Sequence, residues 1–418
     1  MINKSAIRSL LAANFISGVA QGISMISIPM YFAQQGISNM FTAMYAIVTI
    51  ISVFWSPYGG TLIDKYNRKK IFLILNSVNG LLILGVSLAI TFELFDISYL
   101  AATVFALTFW NYNLHYPCFY AFMQEITEKK YYSKIASYIE VQSQLASASA
   151  GAIAALLLGG GLQIGSLDIH FEPVSLRDIF LMDAATYFVA LLIIILLKYK
   201  PIIERKIDVG STLSRLKMGW HYLTGHPYIM IFGIATHAVF VVVLLHVFNL
   251  APLYVEQHLQ PGNSQQVFAI SEIFYAMGAV WAGVYVQRVF KNVPFLKLIL
   301  LLMMVTIFEF TTMIFSQSII LFYIMSLLLG VTNAGVRVTR VSFLLHVIPN
   351  RVIGRASSIF FVSNALARVA LLLVFSLPFF HQNGQVIYAF LILTLFMLVC
   401  LLVLIYFRKP IAAIGEEL

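Results

Sequence analysis

Apolar residues run along this chain in blocks of roughly 20 to 30, separated by short polar or basic stretches. A helix needs about 20 apolar residues to cross a hydrocarbon core of about 30 Å. The blocks predict twelve such helices, at 9–32, 39–63, 71–92, 97–122, 134–158, 177–197, 228–255, 264–287, 295–315, 318–346, 352–377 and 384–407. The most charged interruption is the turn Gly59-Gly60-Thr61-Leu62-Ile63-Asp64-Lys65-Tyr66-Asn67-Arg68-Lys69-Lys70. A weaker copy, Gly283 to Asn292, returns 223 residues later with Gln287 in the place of Asp64. Two unequal copies at that offset predict two related halves, 1–197 and 228–418, each with six helices, joined by a charged linker at 198–227.

Composition agrees with the pattern. Apolar residues make up 61% of the 418 and charged residues 10%, and the mean hydropathy is +0.90; soluble domains are about half apolar and a quarter charged. The predicted class is an all-α polytopic membrane protein. All but four of the 26 Lys and Arg fall in segments that share one side of the membrane, the exceptions being Arg177, Arg337, Arg340 and Arg368. Basic loops stay in the cytoplasm, so both termini and the linker are expected there, and the formal charge of +9 reports sidedness, with no nucleic-acid partner implied. In the linker Leu213, Leu216, Trp220 and Leu223 recur at helical spacing opposite Arg215, Lys217 and His221, which predicts an amphipathic helix on the inner membrane face. The first apolar block is too long for a cleaved signal peptide. Cys118 and Cys400 lie in different halves and are expected to be packing residues rather than a disulfide or a metal site.

Within the blocks, polar residues gather on faces. Asn14, Ser17, Gln21 and Ser24 follow at spacings of three and four on the first helix, suited to lining something polar or to hydrogen bonding between helices. The fourth carries Trp110, Asn111, Tyr112, His115 and Tyr116, either a cavity wall or a hydrogen-bonded helix interface kinked at Pro117. On the fifth, Glu140 is followed by Ser143 or Gln144, then Ser147 and Gly151. Glu140 suits a proton carrier or the partner of an arginine, and a solvated acid at a helix end has the same pattern. His237 and His246 lie nine apart on the seventh helix, roughly on opposite faces. His115 and His246 would titrate near neutrality if exposed to water, or serve as buried hydrogen-bonding residues. No His, Cys or carboxylate cluster has metal-ligand spacing, and no nucleophile, base and oxyanion donor stand together as a hydrolase requires; neither metal, cofactor nor enzymatic activity is expected.

The tenth and eleventh helices are the most costly. Asn333, Arg337 and Arg340 share a face of one, Asn364 and Arg368 of the other. Each arginine near a helix centre costs about 2.5–3.5 kcal/mol, so three unpaired in lipid would cost roughly 8–10 kcal/mol. Of the acids, Glu272 and Glu309 belong nearer the outer side, Glu140 matches Arg337 and Arg340 in depth, and Asp183 is placed to pair with Arg177 or to cap its helix. A positive surplus remains in the second half, which points to an anionic substrate group unless carbonyls and ion pairs absorb all three.

The Gly60 to Lys70 turn resembles motif A of the major facilitator superfamily, G-x-x-x-D-R-x-x-R-R/K, with Lys65 in place of the usual Arg. Twelve spans, a half-chain repeat and a central link extend the resemblance over the whole chain. Leu216-Lys217-Met218-Gly219-Trp220-His221-Tyr222-Leu223-Thr224-Gly225-His226-Pro227, Asp183-Ala184-Ala185-Thr186-Tyr187 and Ile348-Pro349-Asn350-Arg351-Val352-Ile353-Gly354-Arg355-Ala356 are similar to motifs of its enterobactin-exporter and macrolide-efflux-like branch. The fifth helix departs from that branch, since Ser147 to Gly151 contains no Gly-Pro pair.

The resemblance implies two six-helix halves that rock about a central site. It implies a monomeric secondary transporter of the inner membrane, moving a small amphiphilic or anionic organic compound by proton-coupled efflux, that is, as an antiporter. An importer or uniporter of a carboxylate-bearing nutrient or lipid-like molecule, or a transporter-like ligand sensor, are the alternatives. Expected substrate contacts are Asn14, Gln21, Trp110, Asn111, Tyr112, His115, Tyr116, His246, Asn333, Arg337, Arg340, Asn364 and Arg368. Glu140 or His115 would carry the proton, and Gly60, Asp64, Arg68 and Lys69 would form a gate facing Arg355.

Overall fold

Polar caps set where several of the helices begin. In the structure, a computed structural model that describes residues 4–128, 131–164, 167–199, 212–259, 262–290, 292–349, 352–382 and 384–416, the chain is almost wholly helical. The elements are α1 (Lys4–Gln34), α2 (Ser38–Lys65), α3 (Arg68–Thr91), α4 (Ile97–Glu125), α5 (Tyr132–Gly159), a hairpin of β1 (Gly161–Ile164) and β2 (Leu167–His170), and α6 (Leu176–Leu196). After the linker come α7 (Thr212–Gly225), α8 (Pro227–Leu245), α9 (Ala251–Tyr254), α10 (Ser264–Val289), α11 (Phe295–Phe315), α12 (Ile319–Val347), α13 (Ile353–Phe375), α14 (Val386–Tyr406) and α15 (Arg408–Glu416). Asn67, Asp96, Ser175 and Ser318 each accept a backbone N–H of the first turn of α3, α4, α6 and α12, satisfying donors that have no partner within the helix.

Eleven helical stretches among the described residues are long and apolar enough to cross a membrane. The run from α8 through α9 to Leu259 counts as one of them, its π-helical turns at His246–Leu250 and Val255–Leu259 included. The twelfth long helix is α4, with 29 residues, whose polar run at 110–116 lowers its hydropathy. The twelve predicted spans thus fall on twelve long helices. The antiparallel hairpin, which pairs Gly161 with His170 and Ile164 with Leu167, was not foreseen. It follows Gly160, whose left-handed φ of 69° ends α5, a conformation that glycine takes without steric penalty.

The chain packs as two compact units. The first comprises Met1–Phe32, Ile51–Val209 and Gln265–Ile273, the second Ala33–Ile50, Gly210–Ser264 and Phe274–Leu418. These depart from the sequence halves 1–197 and 228–418 at two places: the first part of α2 belongs to the second unit, and the start of α10 to the first. In the first unit an apolar core gathers Phe72, Phe119, Phe122, Met123 and Ile194 with Cys118; neither Cys118 nor Cys400 is in a disulfide among the described residues. Here α1 and α5 run parallel in register, Asn14 beside Gln142, Gly18 beside Ala146 and Gly22 beside Ala150. A Cβ on Gly22 would stand 2.6 Å from that of Ala150, so the helices meet there only because residue 22 has no side chain. The face of α5 turned to α1 is therefore Gln142, Ala146 and Ala150, one step round from the face expected from Glu140, Ser143 and Ser147. Gly151 instead meets Ala269 and Ile273 of α10. In the second unit Gly278 of α10 and Gly330 of α12 each abut the other helix's backbone.

Candidate functional site

The candidate site residues resolve into two polar clusters, one in each unit. In the first unit, the polar face of α1 is fully inside the protein: Asn14, Ser17, Gln21 and Ser24 are all buried. Asn14 is the junction. Its Nδ2 donates to Gln142 Oε1 at 2.6 Å, and its Oδ1 lies 2.6 Å from His115 Nε2. The His115 ring is held edge-on by Phe72 at 5.0 Å and stacked by Phe119 at 6.2 Å, next to a small void of about 10 Å³ lined by Asn14, Ser17, Asn76 and His115. One turn up α4, Asn111 Nδ2 donates to the Tyr187 hydroxyl at 3.3 Å. Tyr112 and Tyr116 form a ring pair at 5.5 Å, and both, like Trp110, are half-buried.

Asp183 belongs to the same cluster, which corrects the expectation that it pairs with Arg177 or caps its helix. Arg177 takes the adjacent Asp178 at 2.6 Å, and Ser175 caps α6. Asp183 is 0% exposed and accepts Ser24 Oγ at 2.9 Å from α1; its Oδ1 has no partner among the described residues. Sequence spacing shows which residues share a helix face but not which helix that face meets, so Ser24, 159 positions away, could not be read as its partner. Gln142 was missed for the same reason.

In the second unit one buried cation is fastened to α8. Arg340, 6% exposed on α12, donates Nη1 to the Thr236 carbonyl at 3.0 Å, and no carboxylate among the described residues forms an ion pair with it. Asn364 of α13 donates to the next carbonyl, that of His237, at 3.4 Å, while His237 stacks on Phe360 at 5.5 Å. Arg368 is buried with its guanidinium 5.9 Å from the ring centroid of Tyr45, within the range of a cation–π contact. Arg337 is half-buried on the same helix as Arg340. Asn333 donates to the Tyr275 hydroxyl at 2.6 Å. His246 stands apart from these, in a π-helical turn among Phe310, Phe322 and Phe390. Glu309 is 0% exposed with neither carboxylate oxygen bonded among the described residues.

At the α2–α3 turn, Arg68 donates to the Ala121 carbonyl at 2.6 Å and to Glu125 at 2.9 Å. Lys69 donates to the carbonyls of Ile195 and Leu197 at 3.0 and 2.8 Å. Two cations thus close the carbonyl ends of α4 and α6, where helix dipoles favour positive charge. Arg355, at the start of α13, reaches Met218 Sδ at 2.9 Å, and Gly219 packs on its carbonyl. The side chains of Asp64 and Glu140, and the surroundings of Gly60, lie outside the described residues.

The described residues thus combine membrane-length helices with buried polar clusters. The sequence pattern of the Major Facilitator Superfamily matches residues 10–372. The chain belongs to that superfamily. No curated protein matches it by sequence. Among solved structures it is similar to the POT family transporter PepTSo (12% identity, 97% of this chain and 98% of that one, TM-score 0.71). It is also similar to the nucleoside transporter NupG (11%, 97% and 99%, 0.70) and to a D-xylose–proton symporter (13%, 95% and 97%, 0.69). At those identities the likeness concerns the fold. The protein is a multi-pass membrane protein of the major facilitator fold, and its class supports secondary transport of a small molecule.

Proposed function

We propose that this protein exports a small amphiphilic or anionic organic compound across the inner membrane by alternating access, coupled to proton entry, and that it belongs to the enterobactin-exporter and macrolide-efflux-like branch. Both termini are cytoplasmic in this reading, and the carrier works as a monomer. The observation that carries it is Arg340: a buried guanidinium bonded to one carbonyl and to no carboxylate among the described residues keeps donors for an anion, since a guanidinium has five N–H groups in a fork that fits carboxylate or phosphate. Arg337 and Arg368 add to the same positive interior, with Asn333 and Asn364 beside them. Asn14, Gln21, Trp110, Asn111, Tyr112 and Tyr116 supply amide and aromatic surface for the rest of the cargo, and His246, in the turn after α8, is a further contact. His115 or Glu140 carries the proton. Asp64 acts with Gly60, Arg68, Lys69 and Arg355 in gating.

Counterflow in proteoliposomes tests this. A panel of labelled organic anions is screened for exchange, at two pH values and against neutral analogues. Exchange of an acidic compound that is lost in Arg340→Ala is the expected result. Saturable binding without exchange would identify a sensor, and equal exchange of neutral analogues would remove the anion from the proposal.

A further inference from the structure

Six buried polar atoms of the first unit lack partners among the described residues, and three of them, Asp183 Oδ1, Asn111 Oδ1 and Gln142 Nε2, belong to the polar cluster of α1, α4, α5 and α6. These three lie along one line. Ser24 meets Asp183; one turn along α6 from Asp183 is Tyr187, which meets Asn111; one turn along α4 from Asn111 is His115, which meets Asn14; and Asn14 meets Gln142. Each turn advances about 6 Å along a helix axis. The line therefore crosses a substantial part of the membrane depth through α6, α4, α1 and α5, with a titratable acid at one end and an imidazole in its course. Buried polar groups are almost always bonded, so clustered exceptions ask for a chemical reason.

Among the described residues, the surroundings of Asp183 contain no cation to neutralise it. Its own helix offers Arg177, six residues away and bound to Asp178, and Tyr187. From α4 come Tyr112 and, farther down, His115 and Tyr116. From α1 comes Ser24, with Tyr31 engaged on Ser98. The stretch of α3 beyond Lys70 has no titratable side chain, and the bases at its start are held by α4 and α6. Glu140 on α5 is far from this level, because the parallel register puts residue 142 beside Asn14 and residue 150 beside Gly22. A bare carboxylate buried among phenols and a hydroxyl is costly. A bound proton removes the charge and makes Oδ1 or Oδ2 a donor.

We propose that Asp183 is a proton-binding carboxylate of this carrier, and that Tyr187, Asn111, His115 and Asn14 form the polar line along which the proton leaves or reaches it. This deepens the proton-coupled reading above by naming the acid. The step is an acid–base exchange: the carboxyl O–H breaks, the pair stays on oxygen, and the proton passes to the neighbouring polar groups.

The test reads the proton without any substrate. pH-difference infrared spectra are recorded on the purified protein in phosphatidylcholine nanodiscs, in sodium and in choline buffers. A titrating carboxylic-acid carbonyl band is expected, with one component missing in Asp183→Asn and present in Glu309→Gln. Tyr187→Phe should move the pH midpoint of that component. Where Asp183→Asn fails to fold, Ser24→Ala replaces it: removal of the hydroxyl on Oδ2 should shift the frequency of the same component. A spectrum unchanged in Asp183→Asn, or in Ser24→Ala where that variant stands in, overturns the proposal, as does a component that sodium abolishes at constant pH, which would make the site a cation site. Since no cargo is present, this outcome is independent of whether counterflow detects an exported anion.

Discussion

The two units use their cations differently. In the first, bases sit at the helix ends: Arg68 and Lys69 fasten α3 to the last turns of α4 and α6, and the interior holds an acid among neutral polar groups. In the second, no such fastening is seen at the corresponding turn among the described residues. Pro294 begins α11 without a side-chain cap, the side chains of Gln287 and Arg288 lie outside the described residues, and Lys297 is exposed. Two bases of this unit, Arg340 and Arg368, lie instead within α12 and α13, one bonded to a carbonyl and one close to a phenol ring. One kind of residue therefore does two jobs. Arg68 is tied to a carboxylate and a helix end, whereas Arg340 is tied to a single carbonyl and to no carboxylate among the described residues. On the proposed reading, the proton belongs to the first unit and the anionic cargo to the second.

The strongest way to break the comparison is to show that Arg68 is not structural. Its partner Glu125 has a side chain 6% exposed, and deleting one member of such a pair leaves the other buried without compensation, a loss of about 3 kcal/mol. Arg68→Ala should lower the thermal midpoint of the detergent-solubilised protein by several degrees, and the double change Arg68→Met with Glu125→Leu should recover most of it. A double variant no better than the single would mean that the carbonyl bond to Ala121, and not the ion pair, fastens this end.

Arg340 tests the other side of the contrast. Loss of a hydrogen bond to a charged group costs about 1.5–3 kcal/mol, which is about 10- to 100-fold in affinity. Arg340→Ala should weaken counterflow of an acidic cargo by that factor. Arg340→Lys should recover only part, because a point charge lacks the planar fork. Unchanged affinity in the alanine variant would place Arg340 with Arg68, as a structural base.

How much of this was legible depends on range. The twelve spans could be read because crossing a membrane imposes a length and a hydropathy that local sequence carries, and even α4, the most polar, has a long enough block around Asn111 and His115. The faces on α1 and α4 were legible from 3.6-residue periodicity. What they touch was not. Asp183 has Arg177 six residues away in sequence, yet meets Ser24 in α1, because burial and the helix register decide the partner. The basic cluster of the α2–α3 turn was expected to work as a gate; its described bonds to Ala121, Glu125, Ile195 and Leu197 depend on where two other helices end, which sequence spacing does not encode. The hairpin at Gly161–His170 is a short pairing between loops, too brief to show an alternating pattern.

The two copies of the turn also differ in acid content. Asp64 is replaced by Gln287 in the second, so a gating role that needs the acid would be confined to the first. Loss of one charge-assisted bond supports an expected fall of about 10-fold in exchange rate for Asp64→Asn, while Gln287→Ala should stay within about 2-fold, as for ordinary peripheral substitutions. Equal losses in the two variants would make the turns equivalent and remove the asymmetry of gating.

The smallest effect separates Lys69 from Lys297. Lys69 donates to two carbonyls at the end of α6, acceptors that have no partner within their own helix. A cation there contributes about 0.3–1 kcal/mol through the dipole at a partly exposed position. Lys297 lies exposed in the first turn of α11, where the dipole opposes a positive charge. Lys69→Ala should therefore lower the thermal midpoint slightly, and Lys297→Ala should leave it unchanged or raise it slightly. High salt should shrink the first difference without erasing it, since the bonds to Ile195 and Leu197 are short and their donor is fixed, whereas long-range dipole effects are screened. Opposite signs in the two variants, at positions near corresponding helix starts, would give the contrast between the units its most direct thermodynamic expression. The same sign in both would mean that the turn's bases act through net charge alone.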